Sequence, residues 1–325
     1  MKKLIIIILS IICFINIAIA TDSVNSVKNN IKKVFINQLI EHPALDITTK
    51  GIIDGLEHNG YKPGVNLELR VESAQANPTL ASQIAAKFVN KQADVVVGVA
   101  TIAAQSFIKY AIKNQTQLIF SSVTDPLGAG LIQNNISGVS NFVALEPQLM
   151  LYQKIQPNLK NLGFLYNPAE ANSISIIKHL KTICPKLNIN LILQAMNKTA
   201  EVSQATTKLI AKVDAIFISN DSTALSAFRG IINIANKSKK PVYVSDTDAV
   251  ELGALAALGP NQYLIGIQTA FIIARSLNGE DLGNIPVEFP KETELYLNEA
   301  AAKIVGISIP DNIKNNATKV FYDVK

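Results

Sequence analysis

The chain has 325 residues, 48 % of them hydrophobic and 17 % charged, which excludes a disordered protein and leaves room for one large or two medium domains with real cores. Thirty lysines and arginines stand against 25 acidic residues. The basic clusters, such as Lys237, Lys239 and Lys240, sit between apolar strands without interleaved aromatics, so they read as solvated helix ends and not as a nucleic-acid surface.

Residues 1–20 have the form of an export signal, with Lys2 and Lys3 ahead of an apolar run and Ala18-Ile19-Ala20 as a small-x-small cleavage site. The run is shorter than the roughly 20 residues a membrane-spanning helix needs. Cleavage after Ala20 predicts a soluble periplasmic protein that retains a single cysteine, Cys184, and therefore relies on its core and not on a disulfide.

Residues 34–40 are predicted as a strand that ends at Glu41, His42 and Pro43, where the proline turns the chain into a helix closed by Asn59-Gly60. The alternating stretch N-L-E-L-R-V-E-S predicts an edge strand, followed by a helix over 78–90. A-D-V-V-V-G-V-A then ends at Thr101, a helical stretch follows, and Q-L-I-F ends at Ser121, Ser122, Thr124 and Asp125. After a Gly-rich turn, I-S-G-V-S is expected to carry the chain across to a second lobe, which opens with a helix over 146–155. There the strand N-L-G-F-L-Y ends at Asn167-Pro168, a helix starts near Glu170, and N-I-N-L-I-L-Q-A-M and a helix over 201–210 come next. V-D-A-I-F-I-S stops at Asn220, Asp221 and Ser222, and after another helix P-V-Y-V stops at Ser245, Asp246 and Thr247. G-A-L-A-A-L-G and the helix to Leu277 are expected to return to the first lobe; I-P-V-E-F-P and E-L-Y-L-N cross again, and a helix over 299–305 closes the second lobe.

Two of these stretches share a register. Asp94 precedes Asp125 by 31 residues and Asp214 precedes Asp246 by 32. Strands too apolar to alternate, joined by helices, belong to parallel sheets covered on both faces. The fold class is therefore α/β, with two Rossmann-like lobes and parallel sheets facing a shared cleft. The predicted lobes are 31–139 plus 253–284 and 140–252 plus 285–325, joined by several short crossings that make a hinge.

Such sheets bind ligands beyond the carboxyl ends of their strands. The candidate ligand-binding residues there are His42, Thr101, Ser122, Thr124 and Asp125 in the first lobe, and Asn167, Glu170, Asn172, Asn220, Asp221, Asp246 and Thr247 in the second. Thr101 and Ser222 are expected at helix N-termini that favour an anionic group, and the acids stand where a cation can be met. Hydroxyls, amides and carboxylates in one ring suit a zwitterion, although each of these residues could equally cap a helix. Phe107, Phe142 and Tyr166 could line an apolar pocket or belong to the core. There is no H-E-x-x-H, C-x-x-C, G-x-S-x-G or P-loop motif, so no catalytic residue, metal ligand or cofactor is assigned.

The stretches E-H-P-A-L-D, S-V-T-D-P-L-G-A-G-L and L-Y-N-P-A-E-A-N-S resemble the substrate-binding proteins of ATP-binding-cassette importers, in the group associated with tryptophan and tyrosine. G-I-I-D-G-L-E-H-N-G-Y, S-N-D-S-T and S-D-T-D-A-V-E-L-G-A-L-A-A-L-G match in the same order. The resemblance implies a type I periplasmic-binding-protein fold with three crossings, a monomer, an amino acid ligand and a permease partner in the inner membrane. It also implies that Thr101, Ser122, Thr124, Asn172, Asp221 and Asp246 face the ligand. On that reading Thr101 and Ser122 hold its carboxylate, and Asp246 beside Asp221 takes its ammonium. Tyr263 stands one position later than the usual tyrosine, which puts a ligand role for it in doubt. A sensor domain reporting to a receptor, or an exported enzyme, are the rival readings.

Overall fold

The computed structural model describes residues 31–324; the export signal expected over 1–20 lies outside them. The first lobe runs β1 (Lys32–Gln38), α1 (Pro43–His58), β2 (Leu67–Ser73), α2 (Pro78–Asn90), β3 (Val95–Val99), α3 (Thr101–Gln105), α4 (Ile108–Asn114), β4 (Leu118–Val123) and β5 (Ile136–Ser140). Its five strands form a parallel sheet in the order β2-β1-β3-β4-β5. The inner strands β3 and β4 are buried along their whole length, whereas β2 is half-exposed at the edge, as its alternation predicts.

The second lobe contains α5 (Leu145–Ile155), β6 (Asn161–Tyr166), α6 (Ala171–Ile183), β7 (Asn190–Ala195), α7 (Val202–Ile210), β8 (Ala215–Ile218), α8 (Ser222–Ser226), α9 (Phe228–Lys237), β9 (Val242–Val244) and β10 (Ala256–Pro260). The chain then places α10 (Gln262–Leu277) on the first lobe and returns for β11 (Thr293–Asn298), α11 (Glu299–Val305), α12 (Asp311–Lys314) and β12 (Lys319–Phe321). This sheet has the order β12-β11-β10-β9-β8-β6-β7, and its β10–β11 pair is antiparallel. The strand expected in the first lobe, β10, thus belongs to the second sheet between β9 and β11, and the crossing falls after it.

The shared register has a structural counterpart. Asp94 Oδ2 accepts from the Lys33 backbone N–H at 2.7 Å, and Asp214 Oδ2 accepts from the Lys160 and Asn161 N–H groups at 3.0 and 2.7 Å. In each lobe, therefore, the aspartate ahead of a buried strand pins the start of the neighbouring strand. In the second core Tyr152 stacks on Tyr243 with centroids 4.2 Å apart, and its hydroxyl donates to the Val244 carbonyl at 3.0 Å, so the polar tip of a fully buried ring is satisfied.

Glycines bring α1 and α10 into close contact. A Cβ on Gly266 would lie 2.2 Å from the Thr48 carbonyl oxygen, and one on Gly51 would lie 2.3 Å from that of Tyr263. This approach sets the N-termini of both helices, His42–Ala44 and Asn261–Gln262, side by side at the cleft. Two of the interlobe crossings are also tied together, because Ser140 N–H donates to the Glu288 carbonyl at 2.8 Å and Glu288 N–H to the Gly138 carbonyl at 3.0 Å. At the third, Asn261 Nδ2 donates to Glu294 Oε1 at 2.9 Å.

Candidate functional site

The carboxyl ends of both sheets face one another across a cavity of about 30 Å3. Because it has room for little more than a water or two, a larger ligand enters only as the lobes part. The first lobe lines it with His42, Thr101, Ser122, Thr124 and Asn141, with Gln262 beside them, and the second with Asn172, Asn220, Ser222 and Asp246. Ile40, Ala44, Leu45, Ala100 and Leu225 supply the apolar wall. Seven of the twelve candidate residues are thus brought together.

Local backbone chemistry explains how several of them arrive there. Pro43 opens α1, and His42 caps it with Nδ1 accepting from the Ala44 N–H at 3.4 Å. Ser122 sits at a register shift in β4 with φ +55°, a left-handed conformation that turns its hydroxyl out of the strand to donate to Gln262 Oε1 at 3.0 Å. Thr48 Oγ1 donates to the same oxygen at 3.0 Å. Gln262 is therefore fixed as a polar floor by two hydroxyls. Sequence reasoning missed it, as it missed Asn141, whose Oδ1 accepts from Thr124 Oγ1 at 3.1 Å.

The remaining five candidates do other work. Glu170 is fully buried and its carboxylate accepts from the N–H and hydroxyl of Ser222 (2.9 and 2.7 Å) and of Thr223 (3.0 and 2.8 Å). It neutralises the start of α8, so the anion expected at Ser222 is the protein's own side chain. Asp221 accepts from Asn167 N–H (2.7 Å), Ser173 Oγ (2.6 Å) and Ala224 N–H (2.9 Å), and it caps α8 without lining the cavity. Burial first, then repulsion from Glu170, pushes its carboxyl up to about 7 against those bonds. Asn167 binds Thr223 Oγ1 at 2.9 Å, Thr247 is buried in the turn after Asp246, and Asp125 folds back to accept from Gly128 N–H at 2.9 Å. Of the aromatic candidates, Phe107 is core, Tyr166 packs against the second core, and Phe142 packs beside His179 at 5.1 Å near the hinge. Tyr263 points away from the cavity and donates to Asp54 Oδ2 at 3.0 Å.

Among the described residues Asp246 is the one acid lining the cavity, and it is 2 % exposed. Its Oδ1 accepts from the Asp248 N–H at 3.1 Å and its Oδ2 lies 3.5 Å from His42 Nδ1 in the other lobe. Burial pushes Asp246 up to about 6; burial and then Asp246 push Asp248 up to about 7. Burial lowers His42, while Asp248 and Asp46 pull the other way. The lobes touch again where Asn220 Nδ2 donates to Thr124 Oγ1 at 3.4 Å. Two buried polar atoms of the cavity wall, His42 Nε2 and Asn172 Oδ1, have no hydrogen-bond partner among the described residues. Such atoms are costly unless something in the cavity meets them. No Lys or Arg lines the cavity, and no group of three His, Cys, Asp or Glu able to hold a metal ion occurs among the described residues.

Two mostly parallel sheets closing tip to tip over a polar cavity define a type I periplasmic-binding-protein fold. The chain belongs to the ABC transporter substrate binding protein family, which it matches over residues 33–321. It is 32 % identical over 291 residues to the tyrosine-binding protein of Clostridioides difficile strain R20291, covering 87 % of this chain and 84 % of that one. It superposes with a TM-score of 0.85 on the ABC domain from Streptococcus pneumoniae in complex with L-Trp, at 30 % identity over 89 % of this chain and 99 % of that one. Against the ligand-free, open structure of a substrate binding protein with adhesive properties from Clostridium difficile the TM-score is 0.67, at 31 % identity over 90 % and 100 % of the two chains. With nearly equal identities, the difference between these scores marks the present lobe arrangement as nearer the L-Trp complex than the open form.

Proposed function

We propose that the cleft captures a free amino acid with an aromatic side chain, outside the cytoplasm, and delivers it to an ABC permease in the membrane. The observation that carries this reading is the buried Asp246, with no Lys or Arg beside it, facing a wall of hydroxyls and amides. A buried carboxylate whose one basic neighbour is a histidine with proton affinity lowered by burial is completed by a ligand's ammonium, and Asn172 Oδ1 is a second acceptor for the same group. The hydroxyl of Thr101 and the amide N–H groups of Gln262, whose Oε1 is held by Ser122 and Thr48, suit the ligand's carboxylate, and Ile40, Leu45 and Leu225 suit an apolar side chain. The two relatives whose ligands are tyrosine and L-Trp support an aromatic one.

The moving units of this proposal are β1 to β5 with α10, and the second sheet with its own helices. Only the closed arrangement brings Asp246 and the first-lobe hydroxyls to one ligand, so binding favours closure, and closure is the form a permease reads. No helix among the described residues is long and apolar enough to cross a membrane; the export signal over 1–20 supports a periplasmic location. A thermal-shift screen of residues 21–325 against the twenty amino acids and small sugars tests the reading. Tyrosine, tryptophan or phenylalanine at about 100 times its dissociation constant is expected to stabilise the fold by roughly 2.7 kcal/mol. A response to sugars alone would overturn it.

A further inference from the structure

The contact between His42 and Asp246 is the one place where a titratable group of each lobe meets the other inside the cavity wall, and its proton arrangement is constrained. His42 Nδ1 accepts from the Ala44 N–H at 3.4 Å, which requires a lone pair on that nitrogen. The same nitrogen lies 3.5 Å from Asp246 Oδ2. A lone pair and an ionised carboxylate oxygen repel at that distance in a buried site, where Asp246 is 2 % and His42 6 % exposed. Two arrangements remove the conflict: a proton added on Asp246 Oδ2 faces Nδ1 while the histidine keeps its own hydrogen on Nε2, or a histidine whose only hydrogen sits on Nδ1 donates it to an ionised Asp246 and gives up the cap; the Ala44 N–H, which needs the Nδ1 lone pair, selects the first. The other groups around the pair are Asp46 on the helix that His42 opens, and Asp248, which itself feels Glu294 and Lys319. No cationic side chain faces Asp246 in the cavity.

We propose that His42 and Asp246 hold one proton between them across the cleft, and that a ligand's ammonium group displaces it, so that capture by this cleft releases a proton to solvent. This rests on the reading of the cleft as an amino acid site. The charges balance: a neutral His42–Asp246 pair and a zwitterion become a neutral histidine, an ionised Asp246 bound to the ammonium, and one free proton. His42 then carries its hydrogen on Nε2, the atom that lines the cavity without a partner, and offers it to the ligand's carboxylate. His42 is in this sense a positioning residue for the charge of Asp246 as well as a ligand contact. The raised carboxyl of Asp246, about 6, places the release within the range of ordinary buffers.

The test is titration calorimetry of residues 21–325 with L-tyrosine and L-tryptophan, repeated at about pH 5.5 and about pH 8 in buffers of different ionisation enthalpy. The expected result is release of close to one proton per ligand at the lower pH and almost none at the higher, with affinity rising about tenfold per pH unit below about 6. His42→Gln, whose amide N–H can donate to an ionised Asp246, is expected to abolish the release and flatten the pH profile, whereas Asp248→Asn leaves both in place. Binding of the amino acids without proton release in the wild type overturns the proposal, as does release that survives in His42→Gln, which would place the proton on Asp246 alone. Nitrogen-15 NMR of the histidines without ligand decides the point should His42→Gln fail to fold or neither amino acid bind. A shared proton gives an Nδ1 shift at His42 that moves with pH between about 5 and 8, and a shift that stays flat overturns it. Failure of both amino acids to bind in the presence of a moving shift counts against the amino acid reading of the cleft and not against the shared proton.

Discussion

Replacing Asp246 by asparagine is expected to make the protein more stable and nearly unable to bind. An aspartate with an ordinary value of 3.8 is pushed up to about 6 here by burial. At about 1.4 kcal/mol per pKa unit, holding its charge inside the cleft wall costs on the order of 3 kcal/mol. Asparagine is nearly isosteric, carries no charge, and keeps an acceptor for the Asp248 N–H, so the cap survives. The raised value means that wild-type stability from this group is full below about 4 and is lost as pH rises through about 6. The advantage of Asp246→Asn is therefore largest at about pH 8, roughly 2 to 3 kcal/mol, shrinks below about 6 and is gone near 4. Urea denaturation at several pH values measures it. Calorimetry with tyrosine or tryptophan measures the accompanying loss, about 2 to 5 kcal/mol of binding free energy if the ammonium meets this carboxylate. An asparagine variant no more stable than wild type at about pH 8 would refute the burial argument, and one that binds as tightly would refute the ammonium assignment.

Glu170→Ala strands the donors of Ser222 and Thr223 and is expected to cost about 3 to 5 kcal/mol, read as a lowered denaturation midpoint. Asn220→Ala removes the weak interlobe bond to Thr124 and is expected to reduce affinity by about 0.5 to 1.5 kcal/mol in calorimetry, with little change in melting temperature. Gly266→Ala drives a methyl group into the Thr48 carbonyl, 2.2 Å away, and should cost about 1 to 3 kcal/mol or more in thermal unfolding. It also pushes α1 and α10 apart, so ligand affinity is expected to fall with stability because His42 and Gln262 stand on those two helices.

The two-lobed plan was legible because buried parallel strands leave unbroken apolar runs, and because Asp94 and Asp214 repeat at matching offsets and do the same job in each lobe. The lobe to which β10 belongs was not, since A-A-L-G-P looks alike in either sheet and its place is decided by pairing with β9 and β11. The places of His42, Thr101, Ser122 and Asp246 around the cavity were legible from the rule that parallel sheets open their binding clefts beyond the strand ends. Glu170 and Asp221 obey the same rule and still serve α8: the partners of Glu170 lie about fifty residues away, where local sequence does not reveal them, and Asp221 combines the local cap of Ala224 with bonds from the distant Asn167 and Ser173. Gln262 could have been found by applying the rule to the strand ending at Pro260; instead the apolar helix that follows it masked a polar side chain whose partner, Thr48, is 214 residues distant.

The bridge that Glu288 makes to Gly138 and Ser140 has a mechanical consequence. Bonded to each other, these two crossings shift together and not as independent segments, so a twist of one lobe against the other has to carry both or break the bridge. Crossings coupled in this way favour the return of the same facing atoms, which suits a contact as long as the 3.5 Å between His42 and Asp246, where no stronger bond guides closure.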